Sequence, residues 1–248
     1  MGDQGPTTLT RRGALSYTYS IADLGHAISL DILLWAPVLL FSMVAHEYAH
    51  AAAAYRQGDD TAYSLGRLTL NPLKHIDPWM TIALPVILWY LTRGAWTFGA
   101  AKPVPVNTAN FRQYRKGDII VSLAGIAMNL AIFVACVLLY ILVGLVGSGL
   151  GDVGVTIQRM LGIGMWMNLL LAFFNLIPIP PLDGSHVVYH LLPPKAGLQY
   201  RKLAFGFLPI MAVSYFLPGV VNTLLWPATQ LMSVANSICL GFKIGGIA

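Results

Sequence analysis

IIVSLAGIAMNLAIFVACVLLYILVGLV, residues 119–146, runs for 28 positions without an aspartate, glutamate, lysine or arginine. As a helix rising 1.5 Å per residue it would extend about 42 Å, more than the roughly 30 Å hydrocarbon core of a bilayer. Inside lipid every backbone polar group must find a partner within the chain, so a run of this length and composition reads as a membrane-crossing helix.

The rest of the chain agrees with that reading. Its 248 residues are 56% hydrophobic and 10% charged, a balance that argues against a soluble globular fold. The net charge of +5 resides mostly in short connections between apolar blocks and forms no continuous basic face. It therefore reads as a set of topology signals, not as a nucleic-acid surface. Cys136 and Cys239 lie in apolar stretches with no CxxC partner, which indicates neither a disulfide framework nor a thiolate metal site. The opening MGDQGPTTLTRRG has two arginines but no compact apolar core followed by a small-residue cleavage site, so no removable signal peptide is expected.

On the N-terminal side of the 119–146 block, a first span is expected from about Ser29 to Tyr55, stopping near Gly58. The segment that follows, DDTAYSLGRLTLNPLKHIDP, is too polar to cross and reads as strand and turn at a membrane surface. Trp79 to Leu91 is apolar but short and contains Pro85, which suits a re-entrant or interfacial element. Positive charge on both of its sides puts both connections on the cytoplasmic face. On the C-terminal side, GSGLGDVG forms an outward turn, and a third span from about Met160 to Ile177 returns to the NLIPIPPLDG segment. Two further apolar runs, Leu203 to Leu217 and Val220 to Leu240, make either a hairpin of spans or one broken element. The expected fold is an all-α polytopic membrane protein, with three core transmembrane helices, a re-entrant segment and C-terminal helices. Its expected parts are an N-terminal tail (1–28), a catalytic membrane core (29–192) and C-terminal membrane helices (193–248).

The chemistry is concentrated in His46-Glu47-Tyr48-Ala49-His50. Imidazoles at i and i+4 share a helix face and can reach one zinc ion, and the adjacent carboxylate can accept a proton from water at the metal's open position. Glu47 is the only glutamate in the chain, so a second glutamate is excluded as the third ligand of such a site, and Asp or His is expected there. Asp183 is the best candidate, because it sits in the otherwise apolar IPIPPLDGSH at the end of a span that finishes on the same membrane side as the HEYAH helix. The alternative is that Asp183 caps a short helix beginning near Gly184-Ser185. His75 and Asp77 in the HIDP turn read as turn-stabilising. His186 and His190 repeat the i, i+4 spacing without an intervening glutamate, which allows an accessory site, partners that orient the ligands, or interfacial residues. Lys102-Pro103-Val104-Pro105-Val106 is extended by its prolines, and reads either as a rigid connector or as an edge for an unwound substrate.

Three blocks together resemble the site-2 protease family of intramembrane zinc metalloproteases, in its compact form without PDZ or CBS domains. HEYAH is similar to the family's HExxH, and NLIPIPPLDG to its Asn-x-x-Pro…Asp-Gly block. LNPLKHIDP and AAKPVPVN are similar to stretches of its compact members. The resemblance covers roughly Ala45 to Ser185. It implies zinc ligands His46, His50 and Asp183, Glu47 as general base and acid, and Asn175 holding the substrate carbonyl or its oxyanion. One departure is visible: family members commonly carry Gly-Pro-x-x-Asn in the middle span, whereas Gly125-Ile126-Ala127-Met128-Asn129 lacks the proline.

The expected function is hydrolysis of peptide bonds within or near a membrane-protein substrate's transmembrane segment, with one Zn2+ per chain and the bilayer and a single-span substrate as partners. The expected location is the cell membrane, with the active site toward the cytoplasm. The rival is a metal or solute transporter that uses the same intramembrane His and Asp, a reading that leaves Glu47 unexplained.

Overall fold

The structure is a computed structural model that describes residues 21–92, 99–202 and 218–244. Contacts divide the chain into Met1–Leu33 and Leu34–Ala248, and the architecture that carries the candidate site belongs to the second unit.

Helix α1 (Ile21–Gln57) ends at Gly58, whose φ of 108° is one that a side chain would resist. The Asp59 amide there donates back to the Ala54 carbonyl and closes the helix end. A Cβ at Gly58 would also stand 3.0 Å from the Asn110 carbonyl, so the turn is pressed against a later loop.

The segment after α1 corrects the expectation of a strand, for no strand occurs among the described residues. A helical turn α2 (Thr61–Ser64) and a 3-10 turn Pro72–Lys74 stand in its place. The reason is local. Asp59, Asn71 and Asp77 each accept a hydrogen bond from the backbone amide two residues on, those of Thr61, Leu73 and Trp79. Such side-chain turns use the amides that a strand ladder would need. Asp77 also accepts from the Met80 amide, and these two backbone N–H groups hold its carboxyl below the ordinary carboxylate range. A π-helical turn (Pro78–Ala83) then leads into α3 (Leu84–Leu91), with Trp79, Val86, Tyr90 and Leu91 exposed.

Helices α4 (Tyr114–Val146) and α5 (Gly151–Leu176) form the main packed pair. Both are long and apolar enough to cross a membrane by length and composition. Close approach is allowed by Gly164 on α5, where a Cβ would come within 2.9 Å of Cys136 Sγ. The outer face of α4 leaves Val134, Leu138, Leu142 and Leu145 uncovered, an apolar surface suited to lipid and unfavourable in water. The expected outward turn GSGLGDVG is shorter than the sequence suggests. A 3-10 turn takes Gly147–Gly149 and α5 starts at Gly151, nine residues before the anticipated Met160.

Helix α5 ends at Leu176 because Pro178 cannot continue it, and Ile177 before that proline is extended (φ −59°, ψ 128°). The chain passes a cis Pro180-Pro181 bond and enters α6 (Gly184–Leu191), followed by α7 (Pro194–Lys202). A Cβ at Gly184 would lie 2.2 Å from the Leu176 carbonyl, so only glycine lets α6 begin against the end of α5. Helices α8 (Pro218–Leu224) and α9 (Trp226–Cys239) and a 3-10 turn Leu240–Phe242 complete the described chain. The second C-terminal apolar run is thus broken at Leu225, while Leu203 to Leu217 lies outside the described residues, as do the residues before Ile21.

Candidate metal centre

The last turns of α1 bring His46 and His50 onto one buried face, and the start of α6 brings Asp183 to them. The two Nε2 atoms stand 3.0 Å apart, and Asp183 Oδ2 lies 3.2 Å from the first and 3.3 Å from the second. Among the described residues this is the one group of three or more His, Cys, Asp or Glu side chains whose ligand atoms converge closely enough to hold a metal ion.

The rings' other nitrogens decide what faces the centre. His50 Nδ1 lies 2.7 Å from the Val121 carbonyl, which can only accept, so Nδ1 carries the proton. In the neutral ring Nε2 then offers a lone pair toward the Asp183 carboxylate and toward His46. His46 Nδ1 lies 3.2 Å from Asn129 Nδ2, and Asn129 is fully buried with its Oδ1 unpartnered. With the Asn129 amide turned over, exchanging its nitrogen and oxygen, an Nδ1–H of His46 donates to Oδ1, which satisfies both groups and turns a second lone pair into the same space. Asp183 Oδ2 is itself buried without a hydrogen bond, and its side chain makes no cap bond to α6, which leaves the capping alternative without support. Three electron-pair donors at such separations repel unless a cation lies between them. Ligand atoms of a tetrahedral zinc, with bonds of about 2.0–2.1 Å, stand about 3.3–3.4 Å from one another, which the observed triangle nearly matches.

Gly125 makes the room. A Cβ there would fall 2.5 Å from His50 Nε2 and 2.7 Å from His46 Nε2. Gly125 and Asn129 were visible in the sequence only as parts of a motif lacking its proline. The structure puts both on the α4 face that meets the two histidines.

Glu47, next in sequence to His46, accepts a hydrogen bond of 2.8 Å at Oε2 from the Val104 amide. The Ala100–Val106 segment that supplies this amide is fixed at several points. Ala100 donates to the Met80 carbonyl, Lys102 to the His75 carbonyl, and Arg67 Nη2 donates to the Lys102 carbonyl. His75 is fully buried, with its Nε2 against the Thr69 carbonyl, and Asp77 caps the π-helical turn; both hold turns. Asp59 fastens the far end of the segment. It accepts from the Asn107 amide, the Asn110 side chain and Thr61, and although burial raises its pKa, these bonds outweigh that and leave it below the ordinary value. The Val104 amide and the Asp59 latch escaped the sequence reading because neither has a spacing signature.

Asn175, near the end of α5, turns its side chain back along its own helix. Its side-chain amide donates to the Leu171 carbonyl one turn back, its one hydrogen bond among the described residues. His186 and His190 face Asp118 of α4 instead of the centre.

The same chain is 37% identical over 191 residues to "Putative zinc metalloprotease YwhC" of Bacillus subtilis (strain 168), covering 76% of this chain and 82% of that protein. The chain belongs to peptidase family M50, the site-2 protease family. Residues 151–211, which include α5, α6 and Asp183, match the family described as Peptidase family M50. A second similarity, 32% identity over 176 residues, is to "Putative zinc metalloprotease Rip2" of Mycolicibacterium smegmatis, over 70% of this chain and 63% of that protein. The Mycobacterium tuberculosis (strain H37Rv) protein of the same name is 31% identical over 183 residues, 73% of this chain and 66% of that protein. No solved structure matches. With its family and its two apolar helices, this M50 member is a membrane protein.

Proposed function

We propose that this M50 member is an intramembrane zinc metalloprotease that cleaves peptide bonds within or near the transmembrane segment of a single-span membrane protein. The observation that carries the reading is the convergence of His46 Nε2, His50 Nε2 and Asp183 Oδ2 within 3.0–3.3 Å, beside the chain's one glutamate. The names of its relatives as zinc metalloproteases support the choice of metal and activity.

His46, His50 and Asp183 would hold the ion. Bound zinc would supply Lewis acidity, lowering the pKa of a water and polarising the scissile carbonyl. Glu47 takes the proton from the attacking water at its carboxylate and returns it to the leaving amine. The Val104 N–H orients that carboxylate through Oε2 and leaves Oε1 for the proton. An oxyanion role for Asn175 requires its amide to turn away from the Leu171 carbonyl toward substrate.

In this reading α1, α4 and α5 are the three core spans of residues 29–192. The short Pro78–Leu91 element is re-entrant, residues 193–248 supply C-terminal membrane helices, and the site faces the cytoplasm of the cell membrane. Arg112 just before α4, Arg115 and Lys116 in its first turn, and Lys195, Arg201 and Lys202 of α7 support that orientation.

The test is reconstitution with a single-span substrate. Glu47→Gln is expected to keep one zinc per chain while cleavage falls about 10³-fold, within the range of lost general-base catalysis. Undiminished cleavage by this variant would sink the mechanism, and metal flux in liposomes that survives the change would favour transport.

A further inference from the structure

Asp118 is buried near the start of α4, although no role in the reaction calls for a carboxylate there. His186 Nδ1 stands 3.1 Å from its Oδ1 and 3.2 Å from its Oδ2, and His190 Nε2 stands 2.7 Å from Oδ2. An ionised carboxylate only accepts, so both rings turn an N–H toward it. Arg201 Nη2 of α7 approaches to 3.8 Å, while its guanidinium lies over the Tyr189 ring at 4.0 Å. A second metal site is not what this cluster forms: the carboxylate separates the two imidazoles, and their nitrogens do not converge.

What the cluster holds is α6. That helix has eight residues and begins directly after Asp183, with His186 and His190 one and two turns along it. The Asp183 side chain has no cap bond, and its buried Oδ2 has no hydrogen-bond partner, so the position of that oxygen depends on where the α6 backbone sits. Helix α4 meanwhile holds the other two donors, through the Val121 carbonyl on His50 and Asn129 on His46. Asp118 lies three residues before Val121, on the same helix.

We propose that Asp118 is a positioning residue: by gripping His186 and His190 it sets α6, and with it the Asp183 carboxylate, in register with His46 and His50. This rests on the metal-centre reading given above. One helix then frames all three donors. Groups that orient metal ligands at one remove are worth about 10–100-fold in metal affinity or activity.

The test uses the full-length protein in detergent, with zinc affinity read by chelator competition and ligand geometry by the visible absorption of the cobalt-substituted form. Asp118→Asn is expected to weaken zinc binding about 10–100-fold, alter the cobalt spectrum, and lower kcat on the single-span substrate with KM unchanged. The structural control is Gln158→Ala, which removes a buried clamp whose side chain bonds the Tyr140 and Phe242 carbonyls and the Ile244 amide. It is expected to lower thermal stability and leave zinc affinity and the cobalt spectrum unchanged. If Asp118→Asn does not fold, His190→Gln carries the same expectation. Zinc affinity within about twofold of wild type in the folded Asp118 or His190 variant overturns the proposal, as does an equal loss in Gln158→Ala. A wild-type protein that takes up no zinc overturns the protease reading itself, whereas normal zinc in wild type and variant alike overturns the positioning role alone.

Discussion

Two sets of side chains in this molecule have the same composition and opposite construction. His46 and His50, four apart on α1, meet Asp183; His186 and His190, four apart on α6, meet Asp118. In the first set the Val121 carbonyl takes up His50 Nδ1 and the Asn129 side-chain amide meets His46 Nδ1, both from α4, leaving two Nε2 atoms and a carboxylate oxygen aimed at one point. In the second the carboxylate lies between the rings and accepts from each, with an arginine alongside, so its demands are met within the protein. Spacing alone does not distinguish a metal centre from a clamp. What distinguishes them is which ring nitrogen is already engaged, and that is set by the neighbouring helix.

The sharpest way to break this comparison is to remove one histidine from each set. His46→Ala should abolish stoichiometric zinc uptake, read by elemental analysis of the purified protein. His186→Ala should still take up one zinc per chain at saturating metal, with affinity lowered no more than about 100-fold. Equal loss in both would erase the distinction.

Next in size is Gly125→Ala. Its Cβ would enter the space 2.5–2.7 Å from both rings while improving the helix propensity of α4. Cleavage should fall about 100-fold, the scale of a displacement near 1 Å at a reacting centre, with helix content by circular dichroism unchanged. Full activity would show that the rings do not need that gap.

The smallest expected effect lies outside both sets. Asp59→Asn places an amide where the Asn107 N–H must be accepted, and should cost about 1–3 kcal/mol of stability at neutral pH. Because the folded pKa of Asp59 is below its unfolded value, its contribution is complete above about pH 4 and is lost as pH falls through the folded value. The gap in thermal midpoint between wild type and variant should therefore narrow on acidification below about pH 4. A constant gap would assign the effect to packing, not to charge.

Much of this was legible in the residues. The 119–146 run declared a long apolar helix because hydropathy and length are additive along the chain. The i, i+4 histidines shared a face because helix geometry requires it, and the stop at Gly58 followed from a glycine after an alanine-rich turn. The stretch from Asp59 to Asp77 misled because its weak alternation resembled a strand, while three side-chain turns took the amides that a ladder needs. The early start of α5 was missed because glycines at 147, 149 and 151 read as a loop, although only Gly151 departs from ordinary backbone, at φ 50°.

What the sequence determined by itself was the inventory: one glutamate, two spaced histidine pairs, an aspartate beyond a proline-rich break, and helices long enough for a bilayer. Which aspartate meets which histidine pair was decided by tertiary structure alone, because that pairing depends on contacts across 68 to 137 positions of chain (Asp118 with His186 and His46 with Asp183). Gly125, Asn129, Val121 and Val104 became part of the centre in the same way. Their contributions are a missing Cβ, an amide, a carbonyl and a backbone N–H, groups whose role depends on what the fold sets beside them.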